Sequence, residues 1–309
     1  MKTSSLLALL ALTLSLMNAS SLAAVPTSRH FVNREGMQLH FLDAGQGPRT
    51  IVFIPGWLMP AAIFRLQLEA LSDEFRVLAF DPRSQGGSRI STGPHNPARR
   101  LNDIEDFLRA AAVEEYVLAG WSLGVLESLD FIAQKPAPGL RGLILIDNSI
   151  GEGKPPTPAG NISQRNSPDP EVRKRYLQDF SRSIFGRPPP ADIAQAVLQS
   201  ALQVPERAAR QLLAQPYERS YWRNIVARQD IPVLYAIRPR FRDQGEALLA
   251  RKGEPLAQVA MFEQAGHALF VDEAERFNEL ARVFARRAFR TMPDAAPPAP
   301  NDPGPSSGN

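Results

Sequence analysis

The pentapeptide Gly120-Trp121-Ser122-Leu123-Gly124 is the part of the sequence whose residue types and spacing most clearly permit chemistry. It follows the apolar run 116–119 and precedes a helical pattern from Val125 to Gln134. A Gly-x-Ser-x-Gly that leaves a strand and opens a helix forms a sharp turn, which lifts the serine hydroxyl above the sheet edge. The two glycines leave the room that so tight a turn requires. This context predicts that Ser122 is a nucleophile.

A serine nucleophile needs a general base, and the chain contains four histidines. His30 and His40 lie in N-terminal strands, which we expect to place them far from the sheet edge that carries Ser122, and His95 lies in a loop. His267 directly follows the last predicted strand and precedes the last predicted helix. It is therefore expected at the same edge as Ser122, where its imidazole can take the hydroxyl proton and return it to the leaving group.

The elements that must position these residues are short apolar strands that alternate with helices. The predicted strands are 30–32, 37–42, 50–54, 76–80, 116–119, 143–146, 232–237 and 259–262, and the main predicted helices are 61–72, 97–112, 125–134 and 274–291. This alternation predicts an α/β fold with a mostly parallel, twisted sheet and helices on both faces. Right-handed crossovers bring the carboxyl ends of the parallel strands to one edge, where ligand sites lie.

The alternation is interrupted by helical segments and loops between residues 151 and 228. This stretch is rich in proline at its segment boundaries and shows no strand pattern. We expect a helical lid here, inserted after the sixth strand. The sheet domain is then made of residues 25–150 and 229–291.

The two ends of the chain have a different composition. The apolar run from Leu6 to Met17 follows Lys2, and Ser21-Leu22-Ala23 offers small residues at the positions that a signal peptidase reads. The run is shorter than the roughly 20 residues that span a bilayer. Residues 1–24 are therefore predicted to be a signal peptide of a secreted or periplasmic protein, with an uncleaved anchor as the alternative. The proline-rich segment 292–309 is predicted to be a disordered tail.

Composition narrows the function classes. The 309 residues are 44% hydrophobic and carry a formal net charge of +3 without a dense basic run, so nucleic-acid binding is not expected. The absence of cysteine excludes disulfides, thiolate catalysis and cysteine-based metal sites. Metal-ligand spacings, phosphate loops and dinucleotide fingerprints are also missing, so neither a cofactor nor a metal is expected. No stable membrane insertion is expected after the signal peptide, and the sequence leaves the oligomeric state open.

Four segments of the chain together resemble the alpha/beta-hydrolase fold family, in its serine-nucleophile group with a helical lid. They are Phe53-Ile54-Pro55-Gly56-Trp57, Phe80 to Ser88, the pentapeptide around Ser122, and Gly266-His267 followed by 273–277. The resemblance implies an oxyanion hole made by the main-chain N–H groups of Leu123 and Trp57. Pro55 stands where the family frequently has a histidine, a difference that leaves this hole intact.

The acid behind His267 has two candidates. The family usually places it after the strand that follows the lid, but the expected Gly-x-x-Asp is absent there and Asp243 comes two residues late. A minority of relatives place it after the sixth strand, where this chain has Asp147. Asp147 is the favoured interpretation, Asp243 is the alternative, and a chain without a functional acid is the third. In each position the carboxylate would fix the imidazole tautomer and stabilise the imidazolium.

A serine at the turn favours acyl-enzyme chemistry over epoxide opening or halide displacement, for which relatives use aspartate. The predicted function is that of a secreted serine hydrolase acting on a carboxylic ester or a related small acyl substrate. Cofactor-free haloperoxidase or perhydrolase activity and carbon–carbon bond hydrolysis use the same residues and stay open. From another class, a non-catalytic binding protein on a hydrolase scaffold also stays open.

Overall fold

One eight-stranded sheet organises the computed structural model, which describes residues 25–155, 165, 167, 169–214 and 216–290. Its strands are β1 (Thr27–Val32), β2 (Gln38–Ala44), β3 (Arg49–Ile54), β4 (Arg76–Asp81), β5 (Glu115–Trp121), β6 (Leu140–Ile146), β7 (Val233–Ile237) and β8 (Ala257–Met261). Their order across the sheet is β1-β2-β4-β3-β5-β6-β7-β8. The antiparallel pairings are those of β2 with β1 and β4, so β2 runs against the rest. The predicted α/β fold class with a mostly parallel sheet is confirmed.

Helices connect the strands and cover both faces. The described helices are α1 (Arg65–Leu71), α2 (Pro97–Ala110), α3 (Leu123–Gln134), α4 (Pro170–Ser183), α5 (Ala191–Gln203), α6 (Glu206–Leu213), α7 (Arg219–Arg228), α8 (Arg242–Lys252), α9 (Leu269–Asp272) and α10 (Ala274–Arg290). The helix predicted over 61–72 is split into a 3-10 turn at Ala61–Phe64 and α1. Helices α8 and α9 were not predicted from the sequence pattern.

The core consists of two apolar layers, one on each face of the sheet. Successive residues of a strand point to opposite faces, so Ile51 and Phe53 of β3 pack with α1 and α10, whereas Val52 and Ile54 pack with α2 and α3. All four side chains are fully buried. Burial on both faces explains why these strands read as continuous apolar runs rather than as alternating patterns.

Four described helices, α4 to α7, lie between β6 and β7. We call α4–α6 (residues 170–213) the helical insertion. Asp169 caps α4 by accepting the N–H of Glu171 at 2.8 Å, which satisfies a group that the helix itself leaves unpaired. In α5, Ser200 donates its hydroxyl to the Leu58 carbonyl at 2.7 Å and accepts the Gly86 N–H at 3.0 Å. These bonds attach the insertion to loops at the carboxyl edge of the sheet.

The predicted signal peptide, residues 1–24, and the predicted tail, residues 292–309, lie outside the described residues. Among the helices that are described, none combines the length and the apolar character needed to cross a membrane.

Candidate active site

Ser122 lies on the sharp turn between β5 and α3. Its backbone has φ 54° and ψ −120°, a conformation that side-chain-bearing residues rarely adopt and that is found at strained functional turns. Its N–H donates to the Ile146 carbonyl at 2.9 Å, and its carbonyl accepts the side-chain N–H of Asn148 at 2.7 Å. The turn is thus held from β6 and from the residues that follow β6.

The two glycines of the pentapeptide are required by close backbone approaches. A Cβ on Gly124 would lie 2.2 Å from the Ile54 carbonyl oxygen, and one on Gly120 would lie 2.3 Å from the Gly124 carbonyl oxygen. Both distances are far below van der Waals contact, and the atoms that would be hit are backbone atoms. The space expected from the sequence is therefore needed to bring β3, β5 and α3 together around Ser122.

Three side chains form a chain of hydrogen bonds at this edge. The Ser122 Oγ lies 2.9 Å from His267 Nε2, and His267 Nδ1 lies 2.6 Å from Asp147 Oδ2. His267 comes from the loop between β8 and α9, and its main-chain carbonyl accepts the indole N–H of Trp121 at 2.9 Å. The structure thus brings together Ser122, His267 and Asp147 with hydrogen-bond contacts suited to moving a proton from hydroxyl to imidazole.

The Asp147 side chain is fully buried directly after β6, on a backbone with φ 47°. Burial by itself raises the pKa of this carboxyl. Hydrogen bonding from His267, together with the positive charges of His267 and Arg238, outweighs burial and lowers the pKa of Asp147 below its usual value. A carboxylate that stays ionised in this position can hold the imidazole in one tautomer.

The alternative acid, Asp243, is in a different setting. It lies exposed in the first turn of α8, whereas the Nδ1 atom of His267 is engaged by Asp147. An acidic residue in a helix's first turn is favoured by the helix dipole, which accounts for Asp243 without a role at the site.

The residues expected to form the oxyanion hole come from segments that border Ser122. Leu123 is the first residue of α3, and Trp57 follows Gly56, where an added Cβ would lie 3.0 Å from the Ser122 Cβ. The Trp57 side chain is buried, its indole N–H donates to the Ala209 carbonyl at 2.8 Å, and its ring meets the Phe180 ring at 5.2 Å. The Trp57 indole thus packs against the helical insertion.

Sequence reasoning missed Arg238, which directly follows β7. Its Nε donates to Asp147 Oδ2 at 2.7 Å, and its main-chain N–H donates to Asp147 Oδ1 at 3.1 Å. It also missed the bond from Asn148 to the Ser122 carbonyl. The position of both residues at strand ends was visible in the sequence, but an arginine and an asparagine have no spacing signature that links them to a distant serine.

A second hydrogen-bonded set of serine, histidine and aspartate side chains lies on strands β1, β2 and β4. Ser28 Oγ is 2.8 Å from His40 Nε2, and His40 Nδ1 is 2.6 Å from Asp81 Oδ2. The expectation that His40 lies far from the carboxyl edge was wrong, because β2 is antiparallel and pairs His40 with Asp81, the last residue of β4. His40 is still three strand positions from β5, or about 14 Å at the usual strand spacing.

Asp81 also accepts two main-chain N–H groups. Its Oδ1 accepts the Ala61 N–H at 2.5 Å and its Oδ2 accepts the Gly87 N–H at 2.8 Å. Among the described residues, no group of three or more histidine and acidic side chains is arranged to hold a metal ion.

The sheet order, the strand–turn–helix around Ser122 and the histidine after the last strand define an alpha/beta-hydrolase fold. A model of the alpha/beta hydrolase family matches residues 51–280, and the chain belongs to this family.

The similar proteins include enzymes of more than one reaction type. The chain is 28% identical over 272 residues to the pimeloyl-[acyl-carrier protein] methyl ester esterase of Vibrio campbellii, a match that covers 80% of this chain and 98% of that protein. An esterase from Exiguobacterium antarcticum has a similar structure, with a TM-score of 0.70 and 19% identity over 84% of this chain and all of that one. A bromoperoxidase from Bacillus anthracis superposes with a TM-score of 0.67 at 18% identity, over 84% of this chain and all of the other.

Proposed function

We propose that this protein is a serine hydrolase that cleaves a carboxylic ester of a small acyl substrate through an acyl-enzyme. The observation that carries the proposal is the chain of hydrogen bonds from Ser122 Oγ through His267 to Asp147. Ser122 itself lies on a turn, with a backbone φ of 54°. The full-length relative named as a methyl ester esterase supports an ester as the substrate.

The proposed reaction has two halves. In the first, His267 Nε2 takes the Ser122 proton while Oγ attacks the ester carbonyl, and the imidazolium then gives this proton to the leaving alcohol. In the second, His267 takes a proton from water as the water oxygen attacks the acyl carbonyl. The bond from the acyl carbon to Oγ then breaks, the carboxylic acid leaves, and the imidazolium returns its proton to Ser122 Oγ. The carbonyl oxygen becomes negative in both halves. The N–H groups of Trp57 and Leu123 are proposed to stabilise it, each worth about 3 kcal/mol.

The test is Ser122→Ala, for which we expect turnover of p-nitrophenyl esters and labelling by a fluorophosphonate to be lost while the thermal unfolding curve is retained. Ser28→Ala is a matched control, because Ser28 also contacts a His–Asp pair but lies on the extended edge strand β1. We expect Ser28→Ala to keep both turnover and label. Turnover that persists in folded Ser122→Ala would remove the proposal, and a wild-type chain that neither turns over esters nor labels would favour the binding-protein alternative.

We propose further that the chain is exported, on the basis of the charged, apolar and small-residue pattern in residues 1–24. The test is N-terminal sequencing of the protein recovered outside the cytoplasm, for which we expect a start near Val25. Leu9→Arg interrupts the apolar run and should keep the precursor inside the cell. Recovery of the folded protein only from the cytoplasm, with Met1 intact, would contradict export.

A further inference from the structure

The carboxylate of Asp147 is held by two residues rather than by His267 alone. Oδ2 accepts both His267 Nδ1 at 2.6 Å and Arg238 Nε at 2.7 Å, and Oδ1 accepts the Arg238 main-chain N–H at 3.1 Å. A second guanidinium nitrogen, Nη2, lies 3.5 Å from His267 Nδ1. The Asp147 side chain is fully buried, whereas that of Arg238 is 25% exposed.

This arrangement follows from the neighbouring strands β6 and β7. Asp147 directly follows β6 and Arg238 directly follows β7, and the Asp147 N–H donates to the Ala236 carbonyl at 2.9 Å. This bond fixes the register of the two strand ends. Arg238, the first residue after β7, therefore lies beside the carboxylate of Asp147, the first residue after β6. The family resemblance implies an acid shortly after β7, but here the residue at that strand end is a cation.

We infer that Arg238 is a positioning residue, which turns the Asp147 carboxylate toward His267 and places a fixed positive charge beside the imidazole. The inference rests on the proposed function. Two donors from one residue, the main-chain N–H on Oδ1 and the side-chain Nε on Oδ2, restrict rotation of the carboxylate plane, and the planar guanidinium fixes the direction of the second donor. A fixed positive charge beside the imidazole also opposes the formation of a second positive charge there.

Two ionisable groups that contact the neighbours of His267 and Asp147 in the chain are held in hydrogen bonds of their own. Asp272, in α9, accepts the Gly266 N–H at 2.7 Å, and Tyr235, in β7, donates its hydroxyl to the Asn148 carbonyl at 2.7 Å. Neither contact involves the Arg238 side chain. A change at Arg238 therefore alters the charge beside the imidazole while these neighbours stay in place.

The test compares Arg238→Met with Arg238→Lys in the full chain. Loss of the charge in Arg238→Met should move the acidic limb of the pH profile of kcat/KM upward by about one pH unit, because the imidazolium then forms more easily. Arg238→Lys keeps the charge and the main-chain donor but lacks the Nε–H that contacts Asp147 Oδ2, so its limb should stay within about 0.3 pH unit while its plateau kcat falls about tenfold. Arg242→Gln removes an exposed guanidinium that pairs with Glu263, and it should change neither quantity.

A readout without turnover keeps the inference testable if a variant is inactive. The Nδ1 proton of His267, followed by NMR across pH in a Ser122→Ala background, should titrate higher in Arg238→Met by the same amount. If wild-type turnover depends on Ser122 but neither the limb nor this titration moves in Arg238→Met, the inference fails and the proposed function stands. If Ser122→Ala retains turnover, the proposed function fails, and the NMR titration still decides whether Arg238 acts on His267.

Discussion

At the residue scale, the proposed nucleophile Ser122 and the proposed acid Asp147 are linked by one backbone contact. The N–H of Ser122 donates to the carbonyl of Ile146, the residue immediately before Asp147. The turn that carries Ser122 and the strand end that carries Asp147 are thus joined before the helical insertion begins in the chain. Of the three side chains, only that of His267 comes from beyond the insertion. The Trp121 indole N–H donates a hydrogen bond to the His267 main-chain carbonyl. This local coupling favours Asp147 over Asp243 as the partner of His267.

The choice between the two acids has a direct test. We expect Asp147→Asn to lower kcat/KM for a p-nitrophenyl ester by at least about 100-fold, because the amide can no longer stabilise the imidazolium. Asp243→Asn should remain within about twofold of wild type, because Asp243 is exposed on α8. Steady-state kinetics with matched unfolding curves measures both. An equal loss in the two variants would contradict the assignment of Asp147.

At the element scale, the loop that carries His267 is in close contact with the helical insertion. The Ala268 N–H donates to the carbonyl of Ile184, which follows α4, at 2.8 Å. A Cβ on Gly266 would lie 2.3 Å from the Gly186 nitrogen and 2.6 Å from the Phe185 carbonyl carbon. The backbone after α4 therefore passes directly against the residue before His267, and the position of His267 depends on the insertion.

This contact predicts a large effect of Gly266→Ala. The added methyl would meet backbone atoms that cannot rotate away, so the His267 loop must shift, and we expect kcat/KM to fall at least about tenfold with a lower Tm. Gly93→Ala is the matched control, because the nearest atom to its Cβ, at 2.4 Å, is the flexible end of the Arg99 side chain. Thermal melts and ester kinetics test the pair. A Gly266→Ala protein with wild-type values would show that the loop has room to move.

A second prediction at this scale concerns the attachment of α5. Ser200 is 2% exposed, and Ser200→Ala leaves the Leu58 carbonyl and the Gly86 N–H without its hydroxyl. Unfolding in urea should show a loss of about 1–3 kcal/mol. Ser183→Ala, which removes an exposed hydroxyl at the end of α4, should cost under about 0.5 kcal/mol. Equal stabilities for both variants would mean that water replaces the Ser200 hydroxyl.

Sequence patterns predicted elements with a strong period or a clear turn signal. The apolar runs around Ile51 and Ile144 became buried strands, and the glycines of the pentapeptide correctly indicated a crowded turn. Helix α8 was missed because its apolar residues form no clear stripe, since Gln244 and Gly245 share its buried side with Leu248. The place of His40 was missed because a period-two pattern does not reveal the direction of a strand.

At the scale of the whole molecule, a buried histidine away from the site couples stability to pH. His95 is 2% exposed, and its Nε2 lies 2.9 Å from the Ser84 hydroxyl. Burial, and then the positive charges of Arg100 and Arg83, lower the pKa of His95 from 6.5 to about 4. Because the unfolded chain binds this proton more readily, the contribution of His95 to stability is complete above about pH 6.5. It is lost as the pH falls toward about 4.

The prediction is a smaller acid sensitivity in His95→Gln. Between about pH 8 and about pH 5, the free energy of unfolding of the wild type should fall by about 2 kcal/mol more than that of the variant. Urea titrations at the two pH values measure this difference, and an exposed-site variant, His30→Gln, serves as the control. If His95→Gln and wild type lose the same free energy on acidification, His95 is not the group responsible.

The contact of Ser28, His40 and Asp81 has a consequence for recognising enzymes from coordinates. Its two distances, 2.8 and 2.6 Å, match the 2.9 and 2.6 Å of the contacts from Ser122 to His267 and from His267 to Asp147, so these distances alone do not distinguish the two sites. What separates them is the main chain: Ser28 sits in an extended edge strand and Ser122 on a turn with positive φ at the start of a helix. Within one molecule, the reactivity of Ser28 relative to that of Ser122 therefore compares two serines that contact the same types of side chain from different backbones.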